Sequence, residues 1–230
     1  KTVKDMEAEK TETGDVTVDT DHFSLYLVSA VAAGDLTGSI KADTFSTGGD
    51  YKLVGNVQTE DSIDKVTISQ NTTIDLNGHT LTISKAGQHF FVENGAKLTI
   101  MDSQAPGETV TTDGEKLLYG NKAILENDTL TYYITKSTPN DTAPGTTETL
   151  EQHTVDLTRA GKILCQGPSE QAILVKGALE LQSGVLQNTG GQHIFTVDRG
   201  TLDINGGYIV GGGSNGTPGG GIYVDNGTVN

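Results

Sequence analysis

Residues 175–184 read VKGALELQSG, and the pattern returns as VDRGTLDING at 197–206 and as VDNGTV at 224–229. The valines lie 22 and then 27 residues apart, and the glycines 23 and then 27. Within the copies the apolar residues alternate, Leu179 with Leu181 and Leu202 with Ile204. That is the period of a strand with one buried face. A short strand that keeps returning after a glycine-marked bend signals a solenoid, in which each repeat forms one coil on the last. A sandwich of hairpins reverses the chain and needs no fixed spacing between like strands. Here like follows like. The strands are therefore expected parallel and in register, each coil rising by one strand spacing of about 4.8 Å.

Upstream, TIDLNGHTLTI at 73–83 and FFVENGAKLTI at 90–100 repeat the order strand, Asn-Gly bend, strand, and AILENDTLTY at 123–132 reads as a weaker copy. Gly-Gln-His occurs at 87–89 and again at 191–193, each time before an apolar strand. Ile74, Leu98, Leu179, Leu202 and Val229 are the expected inward residues, forming aliphatic columns along the axis. The leucine-rich-repeat consensus is absent, and so is the GGxGxD run of calcium-binding nonapeptides.

The whole chain of 230 residues carries 30 glycines, seven Tyr, five Phe and no Trp. A formal charge of −15 repels nucleic-acid phosphates and anionic lipid, so no nucleic-acid partner is expected. Cys165 is the single cysteine and, between apolar neighbours, reads as a small core residue. No segment reaches the ~20 apolar residues of a membrane-spanning helix, so no membrane insertion is expected. Acidic residues follow the first lysines where a signal peptide would be apolar. The richness in Thr, Asn, Gly and Asp suits an exported, extracellular or cell-surface protein.

The string Asp75-Leu-Asn-Gly-His-Thr-Leu81, followed by glycine-bounded coils such as GGGIYVDNGTV at 219–229, resembles the right-handed β-helix domains of bacterial surface proteins, within the pectin-lyase-like superfamily in its broad sense. The resemblance covers roughly residues 49–230. It implies an all-β, right-handed, single-stranded parallel β-helix. For function it implies less, because the superfamily includes lyases, hydrolases, phage tailspikes and non-catalytic adhesins.

Asp75, Asn77 and His79 raise the question of a catalytic or metal cluster. Alternation turns Asp75 outward between Ile74 and Leu76, Asn77-Gly78 is a bend, and a metal would need further ligands from another coil; the expected role is architectural. A polyuronate lyase needs calcium or arginine at the uronate and a strong base beside it. The chain has two arginines, Arg159 and Arg199, the latter in a turn. The related hydrolases carry an Asp pair and Gly-His-Gly; here there is no Asp-Asp, and Gly78-His79-Thr80 departs at its last residue. A carboxylate pair on adjacent coils keeps the glycosidase alternative open.

Two segments depart from the repeat. Residues 20–34 place Phe23, Leu27 and Val31 at helical spacing, and Phe23, Leu25 and Leu27 at strand spacing. In either form they suit an N-terminal cap region, 20–48, preceded by a linker or flexible tail at 1–19. A second break, about 133–162, carries STPNDTAPG, and LTYYI at 130–134 with LEQHTVDL at 150–157 are placed to pair as an inserted arm. Tyr132, Tyr133 and His153 are the candidate contact residues, since loops on a rigid scaffold carry binding functions. No catalytic residue, cofactor or metal is expected. The expected function is a non-catalytic extracellular adhesin-like or stalk module, with a host or matrix glycan or protein as partner. The alternatives are a polysaccharide-active enzyme and a filament subunit. VDNGTV at 224–229 ends inside a coil, so continuation or self-association through an open C-terminal coil is expected.

Overall fold

The computed structural model describes residues 34–113, 124–139, 146–166, 171–189, 193–211 and 220–230, with two short strands upstream. The chain divides into two compact units, Lys1–Ala32 and Ala33–Asn230. In the first, β1 (Glu9–Lys10) and β2 (Val16–Thr17) pair antiparallel. The apolar part of the expected cap, 20–33, lies outside the described residues.

The second unit is all-β. Its strands are β3 (Asp35–Ile40), β4 (Gly49–Thr59), β5 (Lys65–Ile68), β6 (Thr72–Asp75), β7 (Thr80–Ile83), β8 (His89–Val92) and β9 (Lys97–Met101). An inserted group follows: β10 (Glu108–Asp113), β11 (Ile124–Glu126), β12 (Thr129–Pro139) and β13 (Thr146–Asp156). Then come β14 (Lys162–Cys165), β15 (Gln171–Val175), β16 (Ala178–Leu181), β17 (Val185–Asn188), β18 (His193–Asp198), β19 (Thr201–Ile204), β20 (Tyr208–Gly211), β21 (Ile222–Asp225) and β22 (Thr228–Val229).

Among the described residues of the second unit, the strands outside the insertion pair in parallel, with one isolated antiparallel bridge between Asp198 and Asn226, and fall into three stacks. The first runs β4-β6-β9-β16-β19-β22, the second β4-β7-β14-β17-β20, and the third β5-β8-β15-β18-β21. β4 joins the first two into one curled sheet: Gly49–Lys52 face β6, while Val57 and Gln58 face β7. The chain visits the stacks in the same order coil after coil, which is solenoid topology and compatible with a parallel β-helix. Part of the expected cap region is already a rung of this body. β3 pairs in parallel with β4, and Phe45 is fully buried against Tyr51 and Phe90.

The repeat fixes the core. Leu98, Leu179, Leu202 and Val229 are successive partners on the first stack, and Ile74, Ile100, Leu181 and Ile204 form the column beside them. On the third stack Ile68, Val92, Val175, Val197 and Val224 align. Cys165 fills a buried rung between Ile83 and Asn188. The columns are buried as far as Leu202 and Val197; Ile204 is half-buried, and in the last coil Val224 and Val229 are exposed. The residue added at 197–200 relative to 175–177 sits in a corner: Arg199 takes φ 62, as Asn226 takes φ 55 one coil on, and both ladders keep register.

Glycine at these corners is a matter of clearance. A Cβ on Gly177 would lie 2.2 Å from the Glu93 carbonyl oxygen and 2.3 Å from that of Ala96. Both contacts are backbone, so only a shift of the coil below relieves them. Gly177→Ala is therefore expected to cost about 1–3 kcal/mol or more, read as a lowered midpoint in chemical denaturation; an unchanged midpoint would contradict the close stacking.

The stretch 123–132 is not a coil. Asn127 (φ 49) and Asp128 (φ 59) form a tight turn that pairs β11 antiparallel with β12, Leu125 opposite Leu130. Two positive-φ residues in succession match the twist of a hairpin. At Asn77 (φ 47) and Gly78 (φ 74) a similar turn, closed by His79 N–H donating to the Leu76 carbonyl at 2.8 Å, passes the chain from one stack to the next. The dipeptide signal is alike in both places, and the partner strands decide the outcome.

Candidate functional site

The inserted arm leaves the corner between β9 and β14. The ladder is not disturbed by it, since Ile163 pairs with Leu81 on one side and Leu186 on the other. The departure begins at Asp102, well before the expected 133, because the Glu108–Asp113 strand pairs antiparallel with β13 rather than continuing the coil. Among the described residues the arm is a four-stranded sheet in the order β10-β13-β12-β11.

Asp102 pins its root. This buried carboxylate accepts from Gly78 N–H (2.8 Å) and Gln104 N–H (3.1 Å) through Oδ1, and from Gly161 N–H (2.6 Å) through Oδ2. Its own N–H donates to Ser183 Oγ at 2.7 Å. One side chain thus ties the arm's departure and return to the coils on either side. Asp75, Asn77 and His79 belong to the same architecture. Asp75 Oδ1 accepts from Asn77 N–H and Ser103 N–H, both at 2.9 Å, and the Asn77 amide donates to the Leu53 carbonyl.

Alternation along β13 buries His153 and Val155 on the face turned to the solenoid, where Val155, Leu157, Ala160 and Val185 form a small core with Leu130, Tyr132, Tyr208 and Val210 against it. Tyr132 is the cross-strand partner of His153, and their rings stack at 4.8 Å with 13° between planes. The Tyr132 phenol donates to Glu108 Oε1. His153 Nδ1 lies 3.0 Å from the same Oε1, and Nε2 lies 3.6 Å from Glu151 Oε2. Neither ring nitrogen is in hydrogen-bonding geometry with a partner. Burial, reinforced by Glu108, pushes the Tyr132 phenol well above its usual range, and burial with Glu108 also pushes Tyr208 up.

Tyr133 is elsewhere. It is one residue from Tyr132 on the same strand and so lies on the opposite, outer face, in a cross-strand row with Gln152 and Thr111; Thr131, Thr154 and Thr109 form the adjacent row. The structure thus brings Tyr132 and His153 together and separates Tyr133 from them. Sequence reading missed Glu108 and Glu151. Glu151 was within reach of the period-2 rule from His153, whereas Glu108 needed the β10–β13 register.

Beside the root, a cleft of about 640 Å³ opens between Gly78, the 104–107 loop, Asp156 and Arg159. Asp156 accepts from its own turn, Thr158 N–H at 2.9 Å and Oγ at 2.6 Å, which holds its carboxyl below the usual range. Among the described residues the cleft lining therefore offers a single carboxylate, already engaged. Arg199 is exposed and paired with Asp198 at 2.9 Å. His89 and His193 do not occupy one position. Ile173 pairs with both Phe90 and Phe195, so His89 stands one residue before that rung and His193 two, on strands separated by β15. Among the described residues no three His, Cys, Asp or Glu converge as metal ligands, and no helix is long and apolar enough to cross a membrane.

No family model, curated protein or solved structure matches the chain.

Proposed function

We propose that this chain is a non-catalytic extracellular module, adhesin-like in character, in which a right-handed β-helix of the pectin-lyase-like kind carries the arm as its contact surface. The observation behind this reading is the placement of the arm: a four-stranded sheet enters one corner, the parallel ladder continues past it in register, and a buried carboxylate joins its two ends to the coils. A rigid frame with an inserted, elaborated segment is the usual arrangement for recognition. The outer face of the arm suits a flat polar ligand. Threonine hydroxyls and the Gln152 amide donate and accept, and the Tyr133 ring supplies apolar contact area at small entropic cost. Such a face matches a host or matrix glycan or an extended polypeptide.

Binding of the protein to glycan and extracellular-matrix arrays tests the reading. A retained ligand whose affinity drops roughly tenfold or more in Tyr133→Ala, at the level of an interface hot spot, supports it, provided the unfolding midpoint is unchanged. Turnover of pectate, alginate or a neutral glycan, abolished by one Asp or Glu substitution, overturns it.

A further inference from the structure

We propose that Asn94 is a site of spontaneous modification, deamidated through attack by the Gly95 backbone nitrogen, and that the isoaspartate formed there loosens the coil stacked on it. Asn-Gly is open to this reaction because glycine presents its N–H with no side chain in the way. Among the described residues the pair occurs four times, at 77–78, 94–95, 205–206 and 226–227. The fold restrains three of them. The Asn77 amide donates to the Leu53 carbonyl at 2.9 Å, its oxygen accepts from Ser103 Oγ at 3.3 Å, and the Gly78 N–H donates to Asp102 at 2.8 Å. The Asn205 amide donates to Glu180 Oε1 at 3.0 Å, and Gly206 N–H to the Leu181 carbonyl at 3.2 Å. Asn226 bridges to Asp198 and donates to Asp225, and Gly227 is pressed on the preceding coil, where a Cβ would meet Val197 Cγ1 at 2.5 Å.

Asn94-Gly95 carries no such restraint. Both residues are exposed in the turn between β8 and β9, which Ala96 N–H closes by donating to the Glu93 carbonyl at 3.1 Å. Among the described residues no hydrogen bond ends on the Asn94 side chain or on the Gly95 N–H. A Cβ on Gly95 (φ 88) would meet nothing within 4 Å. Nucleophile and electrophile are thus adjacent, solvated and unengaged. The Gly95 nitrogen bonds to Asn94 Cγ, the Cγ–Nδ2 bond breaks, and ammonia leaves with the proton that the Gly95 nitrogen gives up. Water then opens the cyclic imide at either carbonyl, giving aspartate or isoaspartate. Isoaspartate runs the chain through the side chain and lengthens the corner by one carbon. That corner has no slack. Ala178 N–H donates to the Ala96 carbonyl at 2.9 Å, and Gly177 lies so close that a Cβ on it would stand 2.2 Å from the Glu93 carbonyl oxygen. The inference is independent of the binding reading.

Ageing the intact chain in mildly alkaline buffer, followed by peptide mass mapping and enzymatic methyl labelling of isoaspartate, tests the assignment. In the folded chain Asn94 is expected to convert roughly tenfold or more ahead of Asn77 and Asn205, whose hydrogen bonds must break before the ring can close, and ahead of Asn226. In urea the four rates should converge. Equal rates in the folded chain, or any of the other three ahead of Asn94, overturn the proposal. In the isoaspartate fraction, hydrogen-exchange protection of β9 and β16 is expected to fall roughly tenfold against the unaged chain; unchanged protection overturns the loosening. Aged Asn94→Gln, whose longer side chain closes the ring far more slowly, should keep its amide and its protection. A loss of protection in that variant overturns the link to residue 94.

Discussion

Asp102→Ala is expected to lower the unfolding free energy by about 3–5 kcal/mol, because it removes the charged acceptor of three backbone N–H groups, one of them fully buried. Alanine strands the amide groups of Gly78, Gln104 and Gly161, each of which now ends on the carboxylate. A buried donor without a partner costs roughly 1–3 kcal/mol, and the Gly161 bond is the fully buried one. Gly161 itself is closely packed, since a Cβ there would meet Leu76 Cβ at 2.5 Å. Asp102→Asn separates the contributions. It retains one acceptor for Gly78 and Gln104 but turns an N–H₂ toward the Gly161 N–H, so its loss should be intermediate. Urea denaturation of the two variants checks this; a cost below about 1 kcal/mol for alanine would mean that water replaces the carboxylate, and the arm would then have another anchor.

The contrast between Leu202 and Asp102 shows what was legible in the sequence. Leu202 was readable because a repeat states its own register: once Val175, Val197 and Val224 are aligned, the residues beside them must stack, and they do. Asp102 was not readable. It is one acid among thirty acidic residues, and its partners are backbone groups 24 and 59 residues away that carry no sequence signature. The hairpin at 124–131 was misread for a related reason. Its alternation and its Asn-Asp bend are local signals shared by coil corners and hairpins alike, and the choice between them is made by the strand that comes to lie alongside. The Gly-Gln-His tripeptide misleads in the opposite direction: the two strings match, but the ladder sets them one residue out of register.

The candidate site divides along the same line. Tyr132 and Tyr133 are adjacent in sequence, and a period of two places them on opposite faces, one under the arm and one on it. Their joint selection as aromatic contact residues therefore mixed two roles. Tyr132 belongs to the buried group that joins β10, β12 and β13 over Val185 and Tyr208. Tyr133 is on the face open to a ligand. A substitution at Tyr132 is expected to act through the arm's integrity and one at Tyr133 through affinity.

Leu202→Ala should weaken the last coils by about 2–5 kcal/mol, the span for deleting a buried leucine side chain when its surroundings close only in part. Leu202 is fully buried, with Leu179 on the preceding coil and Val229 on the next as its ladder partners. Neither can move into the space without leaving its own rung, so little of the cavity should collapse. In a solenoid each coil contacts chiefly its neighbours, and the damage should therefore remain local. Amides of β19 and β20 are expected to lose hydrogen-exchange protection while those of β6 and β9 keep theirs. Leu98→Ala removes the same side chain from the same column two rungs earlier, between Thr72 and Leu179. There the loss falls mid-stack and should appear in global unfolding. Val229→Ala, at a position already 39% exposed, should cost clearly less than Leu202→Ala. If Leu202→Ala leaves the protection of β19 and β20 unchanged, the column is not what holds the final coils, and the corner hydrogen bonds Thr201 N–H to the Gly177 carbonyl and Asn230 N–H to the Leu202 carbonyl, both at 2.9 Å, must carry them instead.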